Sequence, residues 1–240
     1  MSTNTPASIA SSTPCIILAG GLGTRLREAV PDRPKCLAPV GDRSFLEIQL
    51  ALLAAQGVTD FVLSLGHLAD QVQAEAVRLG DRFSIRCVIE PQPLGTGGAI
   101  AFAMTASGLT EALVTNGDTF LGGDLRAMCL PLLIESGERA RMAVIEVEDR
   151  HRYGGVQIHA GYVRGFAEKG QSGPGPINAG LYRLSAEVFA DAAPGEAFSF
   201  ETRILPSLAS TGQLRAQALD GAFTDIGVPD DYYRFCAEHG

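Results

Sequence analysis

Ile16-Ile17-Leu18-Ala19-Gly20-Gly21-Leu22-Gly23-Thr24-Arg25-Leu26 is a short apolar run that breaks into a glycine-rich turn and then meets a basic residue. From Cys15 to Ala19 it reads as a central parallel strand, apolar on both faces. The turn after it exposes backbone N–H groups, and Lys35 follows closely in Pro34-Lys35. A strand ending in bare amides with cations behind it can hold a polyphosphate.

The remaining chain repeats the theme of strand followed by helix. Residues 20–43 are broken by Pro31, Pro34, Pro39 and Gly41, so they read as loop. Ser44-Phe45-Leu46-Glu47 is a capping box. It opens a helix that carries Leu46, Leu50 and Leu53 and stops at Gly57. Strands are expected at 61–65, 85–90, 112–115 and 140–147, with helices near 69–79, 98–106 and 124–137. This alternation predicts an α/β fold with a doubly wound, mostly parallel, Rossmann-like sheet. After Asp149 short β-type runs separated by Gly and Pro fill 153–184, which predicts a smaller antiparallel or mixed lid. Helices are expected again at 186–192, 200–209 and 229–238. Residues 1–13, rich in Ser, Thr and Ala, read as a disordered tail. Residues 14–240 then form one domain, with a strand–helix half at about 14–149 and a lid half at about 150–240.

Composition narrows the partners. The net charge of −8 argues against nucleic acid or an anionic membrane. No apolar stretch reaches membrane-spanning length. Five scattered cysteines without a C-x-x-C pair fit neither zinc nor a disulfide framework and point to the cytoplasm. His67, His151, His159 and His239 lack metal-ligand spacing and read as structural or surface residues. No Ser-His-Asp or Cys-His pattern suggests covalent catalysis.

The glycine turn fits neither common phosphate loop. Arg25 stands where a Walker loop needs its second glycine. Leu26 stands where the dinucleotide fingerprint needs its third, and Leu65-Gly66-His67 supplies no ribose carboxylate. That leaves a different phosphate site or a plain structural turn.

The turn has company. Leu18 to Leu26, Pro34-Lys35-Cys36-Leu37-Ala38-Pro39-Val40, Pro91 to Ala99, Asn116-Gly117-Asp118, Glu168-Lys169, Asn178-Ala179-Gly180-Leu181-Tyr182 and Asp225-Ile226-Gly227 stand in that order. Together they resemble the signature of the sugar-1-phosphate nucleotidyltransferases. Within that family the chain looks most like the guanylyltransferases that act on manno-heptose 1-phosphates. The resemblance implies attack by a sugar-phosphate oxygen on the α-phosphorus of a nucleoside triphosphate, here GTP, with release of pyrophosphate. It implies Mg²⁺ as cofactor and a nucleotide sugar for bacterial surface polysaccharide, such as capsule or lipopolysaccharide, as product.

The resemblance also assigns residues. Leu18, Ala19, Gly20, Gly21, Gly23, Thr24, Arg25, Gln92, Gly97 and Asp118 would bind the nucleotide. Arg25, Lys35 and Asp118 would be catalytic, with Arg25 gripping the triphosphate and Lys35 at the α-phosphate. Asp118 and Asp225 would hold the metal, although 107 positions separate them. Gly117, Lys169, Asn178, Gly180 and Glu201 would hold the sugar phosphate. Glu90 is open between the base wall and a structural strand end, while Arg27 and Arg33 read as surface charge. Related enzymes are often dimers, so a homodimer fits. The chain ends soon after Asp225, which leaves no room for an appended β-helix domain. The rivals are the same chemistry with UTP, dTTP or CTP, or with mannose or glucose 1-phosphate, and a nucleotide-sugar-binding regulatory subunit without turnover. Intact Arg25, Lys35, Asp118 and Asp225 speak against the last.

Overall fold

The computed structural model describes residues 14–240, so the expected tail at 1–13 lies outside the described residues. In chain order the elements begin with β1 (Cys15–Leu18), β2 (Pro39–Val40), β3 (Arg43–Ser44), α1 (Phe45–Ala55), β4 (Asp60–Leu65), α2 (Ala69–Leu79), β5 (Ser84–Ile89) and α3 (Gly95–Ser107). They continue with β6 (Glu111–Asn116), β7 (Thr119–Leu121), α4 (Arg126–Cys129), β8 (Ala140–Val147), β9 (Val156–His159), β10 (Tyr162–Phe166) and β11 (Gly175–Ser185). The chain closes with α5 (Leu205–Ser210), β12 (Leu214–Ala218), β13 (Phe223–Asp225) and α6 (Pro229–His239).

Nine strands form one sheet in the order β5-β4-β1-β6-β11-β8-β12-β10-β9. The first four are parallel, and only β11 and β10 run against the other seven. Alternate side chains of each strand leave on opposite faces. On one face Ile17, Leu63 and Leu113 meet Leu46, Leu50 and Leu53 of α1 and Val72, Ala76 and Leu79 of α2. On the other, Ile16, Val62 and Val114 meet Ile100, Ala103 and Met104 of α3 and Leu205 and Leu208 of α5. Burying each such Ile, Leu or Val contributes about 1.5–3 kcal/mol. The sheet is therefore covered on both sides, and this is why its central strands read as continuous apolar runs. Strands β9 to β12 of the second half extend this same sheet rather than stacking as a separate layer, while β13 pairs with β7 in a two-stranded sheet.

Ser44 caps α1 as its box predicts, its Oγ accepting from Glu47 N at 3.1 Å. The helix expected at 124–137 is broken. Only α4 and a 3₁₀ turn at Ile134–Ser136 form. Pro131 cannot continue the helical ladder, and the carbonyls of Ala127, Leu130 and Pro131 instead accept from the Arg141 guanidinium. The helix expected at 186–192 shortens to a 3₁₀ turn at Ala186–Phe189, and 200–209 divides into a π turn at Phe200–Ile204 and α5. The helix at 98–106 begins three residues earlier, at Gly95. Strand β12, unforeseen in the sequence, docks parallel to β8. Among the described residues no helix is long and apolar enough to cross a membrane.

Candidate active site

Four parallel strands end on the same side, and their carboxyl ends deliver the site. β1 runs into Gly20-Gly21, β4 into Gly66-His67, β5 into Glu90 and β6 into Asn116-Gly117-Asp118. Open parallel sheets place ligand crevices here. A cleft of about 740 Å³ is lined by all these residues, together with Lys35, Gln92 and the start of α3.

The backbones around this cleft touch closely. A Cβ on Gly20 would lie 2.9 Å from Gly66 N, and one on Gly117 would lie 2.6 Å from Leu18 O. Leu18, Ala19, Gly20, Gly21, Gln92 and Asp118 all line this cleft. Gly23, Thr24 and Arg25 do not line it. Gly23 has φ +65° and packs beneath the Lys35 side chain. Exposed Arg25 still acts on Asp225 through its charge. Gly97 also lies off the cleft: its amide donates to Phe198 O at 2.9 Å, and a Cβ there would sit 2.2 Å from the Phe198 ring. It is small so that α3 can pack against that segment. Gly117, expected on the sugar side, lines this larger cleft, its amide donating to Leu18 O of β1 at 2.9 Å.

A second cavity of about 370 Å³ adjoins the first. Lys169, Asn178, Gly180, Glu201 and Asp225 line it, with Tyr153, Gly154 and Gly155 and the apolar Val156, Phe166, Leu205 and Phe223. A bulge in β11 shapes its floor. The pairing with β8 slips between Asn178 and Tyr182, where Gly180 takes φ +71°. The bulge turns Asn178 so that its Oδ1 accepts from Gly180 N at 3.0 Å and its Nδ2 donates to Tyr182 OH at 2.7 Å. Asn116 and Glu201 border both cavities. Glu201 accepts from Thr96 Oγ1 at 2.6 Å and Ser199 Oγ at 2.9 Å.

The charged cluster stands where the cavities adjoin. Lys35 Nζ lies 3.0 Å from Asp118 Oδ2, a carboxylate of the larger cavity. Asp225 faces the smaller one. The two aspartates meet because β7 and β13 pair antiparallel, with Thr119 opposite Asp225, and Ile226 N donates to Asp118 O at 2.9 Å. Burial raises the Asp225 carboxyl above its ordinary value and Asp118 adds to the shift; the Gly227 N–H, Lys35 and Arg25 oppose it. Two carboxylates sharing a site gain most when a cation joins them. Among the described residues no cluster of three or more His, Cys, Asp or Glu could enclose a metal. Two carboxylates are nevertheless the usual protein share for Mg²⁺, which keeps water and phosphate oxygens as its other ligands. Gly227 keeps this spot open: a Cβ there would lie 2.6 Å from Asp225 Oδ1, 3.3 Å from Lys35 Nζ and 3.4 Å from Asp118 Oδ2.

His67 escaped the sequence reading, and Glu90, which that reading left open, also lines the larger cleft. His67, read as structural or surface, forms part of the larger cleft's wall, and the strand-end rule applied to β4 would have found it. Glu90 lines the same wall and accepts from Leu94 N at 3.0 Å. Burial raises its carboxyl above the ordinary value, with the Leu94 N–H opposing. Cys36 also lines the cleft, but burial pushes its thiol up to about 12, so it is no nucleophile.

Known proteins match this chain along almost its whole length. The family model described as nucleotidyl transferase matches residues 15–239. The D-glycero-alpha-D-manno-heptose 1-phosphate guanylyltransferase of Campylobacter jejuni is 38% identical over 224 residues, covering 92% of this chain and 97% of its own. The protein of the same name from Aneurinibacillus thermoaerophilus is 36% identical over 220 residues, 90% of this chain and 94% of its own. Among solved structures, HddC from Yersinia pseudotuberculosis complexed with GMP-PN superposes with a TM-score of 0.81 at 35% identity, covering 95% of this chain and all of that one.

Proposed function

The chain belongs to the nucleotidyl transferase family, and from that premise we propose that it is a guanylyltransferase acting on a manno-heptose 1-phosphate. The observation that carries this reading is the position of Lys35, Asp118 and Asp225 at the junction of a triphosphate-sized cleft and a second, sugar-sized cavity. GTP in the larger cleft brings its α-phosphorus to that junction. The sugar 1-phosphate in the smaller cavity brings an oxygen to it. The oxygen attacks the α-phosphorus, the bond to the bridging oxygen breaks, and pyrophosphate leaves with the electron pair.

Little covalent help is needed for this displacement; alignment and neutralised charge carry it. Amides of Gly20 and Gly21 face the triphosphate, and Arg25, exposed on the loop outside the cleft, closes on it as a bidentate donor. Lys35 stabilises charge on the α-phosphoryl group in the transition state. Lys169, Asn178 and Gly180 hold the sugar phosphate and Glu201 accepts sugar hydroxyls, while the apolar side chains pack against C–H faces. Asp118 and Asp225 are the residues that would hold Mg²⁺, which neutralises phosphate charge when bound. Catalytic turnover sets this reading apart from a regulatory subunit, and the intact cation and carboxylate cluster favours turnover.

Guanine is favoured by Glu90. Guanine alone among the common bases presents two adjacent donors, N1–H and the 2-amino group, to one carboxylate. Uracil and thymine offer one N–H between two carbonyls, and cytosine and adenine turn a ring lone pair toward it. Heptose is favoured by the two relatives of that name. A cytoplasmic setting belongs to the same proposal, since all five cysteines are free thiols, and so does supply of a bacterial surface polysaccharide.

Pyrophosphate release tests the whole reading, with GTP, ATP, UTP, CTP and dTTP crossed against mannose, glucose and D-glycero-D-manno-heptose 1-phosphates in Mg²⁺. The expected result is release that requires GTP and the heptose phosphate. Release with another pair would replace the specificity, and silence throughout with GTP still bound would overturn the assignment to catalysis.

A further inference from the structure

Gln49 is a polar residue on the buried side of α1, only 2% exposed. Its Nε2 donates to two main-chain carbonyls, Asn116 O at 2.9 Å and Thr119 O at 2.8 Å. These carbonyls bracket Gly117 and Asp118, the two residues that reverse the chain between β6 and β7. The carboxamide oxygen of Gln49 meets no donor. A buried acceptor left without a partner costs stability, and a Met or Leu at this core position would remove that cost. What the apolar residue could not do is hold both ends of the turn.

We infer that Gln49 is a positioning residue for Asp118. Three elements fix the turn. β1 takes the Gly117 amide at Leu18 O, the segment after β13 gives the Ile226 amide to Asp118 O, and α1 clamps the flanking carbonyls through Gln49. Gln49 joins the carbonyls at the two ends of the turn through one side-chain nitrogen, and so it helps set the direction in which the Asp118 carboxylate leaves the backbone toward Lys35. The inference rests on the proposed role of Asp118 at the reacting phosphate. Gln49 itself touches neither cavity and is not a catalytic residue.

Gln49→Met keeps the length and volume of the side chain and removes both donors. Its melting temperature should stay within a few degrees of the wild type. Displacement of a reacting-site group by a fraction of an ångström should lower kcat by roughly tenfold or more, with the KM for GTP within about twofold. Amide hydrogen exchange, measured without substrate, should quicken in the peptide spanning 115–121 and nowhere else. Gln49→Glu, which offers only acceptors to the same two carbonyls, should be impaired at least as much. In an active enzyme the two readouts must move together: wild-type exchange over 115–121, or wild-type kcat, overturns the inference. Faster exchange throughout the chain also overturns it and makes Gln49 an ordinary core residue. If the wild type released no pyrophosphate at all, the proposed function would fail, while exchange over 115–121 would still judge the clamp.

Discussion

Gly227→Ala tests the reacting cluster with a single methyl group. Gly227 is not at positive φ, so the backbone accepts alanine and the added carbon alone is at issue. That carbon would stand 2.6 Å from Asp225 Oδ1, whereas ordinary contact begins near 3.4 Å. The carboxylate must therefore retreat by about 0.8 Å, the difference of those two distances. In retreating it stretches its bond from Gly227 N, now 2.8 Å. It cannot retreat freely, because Asp225 is held opposite Thr119 by the β7–β13 pairing. A misplacement of about 1 Å at a reacting site can cost about a hundredfold in rate, so the expected loss in kcat is between about tenfold and a hundredfold, or roughly 1.4–2.7 kcal/mol of transition-state stabilisation. Steady-state pyrophosphate release at saturating GTP and sugar phosphate measures kcat, and calorimetric titration with GTP measures binding without turnover. Binding should hold within about threefold, because the groups of the larger cleft that the methyl meets, Lys35 Nζ at 3.3 Å and Asp118 Oδ2 at 3.4 Å, need give far less than Asp225, and the melting temperature should hardly move. A kcat within twofold of wild type would refute the placement of Asp225 at the reacting phosphate. An equal loss of GTP affinity would mean that the methyl group acts on the nucleotide cleft instead.

Other substitutions separate the remaining roles. Glu90→Gln keeps the acceptor for Leu94 N but sets an N–H against the guanine donors; losing a charge-assisted bond of about 2–3 kcal/mol should cut kcat/KM for GTP about 30- to 150-fold, and an unchanged ratio of GTP to ITP rates would remove Glu90 from base reading. Because burial raises the Glu90 carboxyl, wild-type kcat/KM for GTP should fall as pH drops through a range above that of ordinary glutamate, where the accepting carboxylate is lost. Glu90→Gln should lack that limb, as pH profiles of the two enzymes would reveal. Lys35→Ala should reduce kcat far more than GTP affinity, and loss of binding alone would exclude transition-state stabilisation. Glu138→Ala removes the carboxylate from a wholly buried pair with Arg141. It leaves a buried cation among carbonyls, so denaturant unfolding should show a loss of about 3–5 kcal/mol, while folded enzyme keeps its turnover.

Much of the fold was legible because it rests on short-range physics. A run of apolar residues on both faces marks a central strand wherever it sits, a Ser-x-x-Glu box caps α1, and glycine stops helices at 57 and 80. The failures have local causes too. Pro131 breaks what apolar spacing alone would have called a helix, and β12 hides because Leu214 to Ala218 lacks a β-branched residue.

The sequence by itself determined the glycine turn after β1, the nearby lysine, and the aspartate at the end of β6, because each sits on an element that local pattern defines. It could name Asp118 and Asp225 as partners but could not bring them together. Only tertiary structure decided that, through the pairing of β7 with β13, two three-residue strands too short to announce themselves. Tertiary structure likewise decided that Gly97 is a packing glycine, that Gly227 keeps the cluster open, and that a glutamine from α1 clamps the turn of Asp118. A side chain's type is written in one position, but its role is set by distances across the fold, and those follow from how the sheet and its helices close on one another.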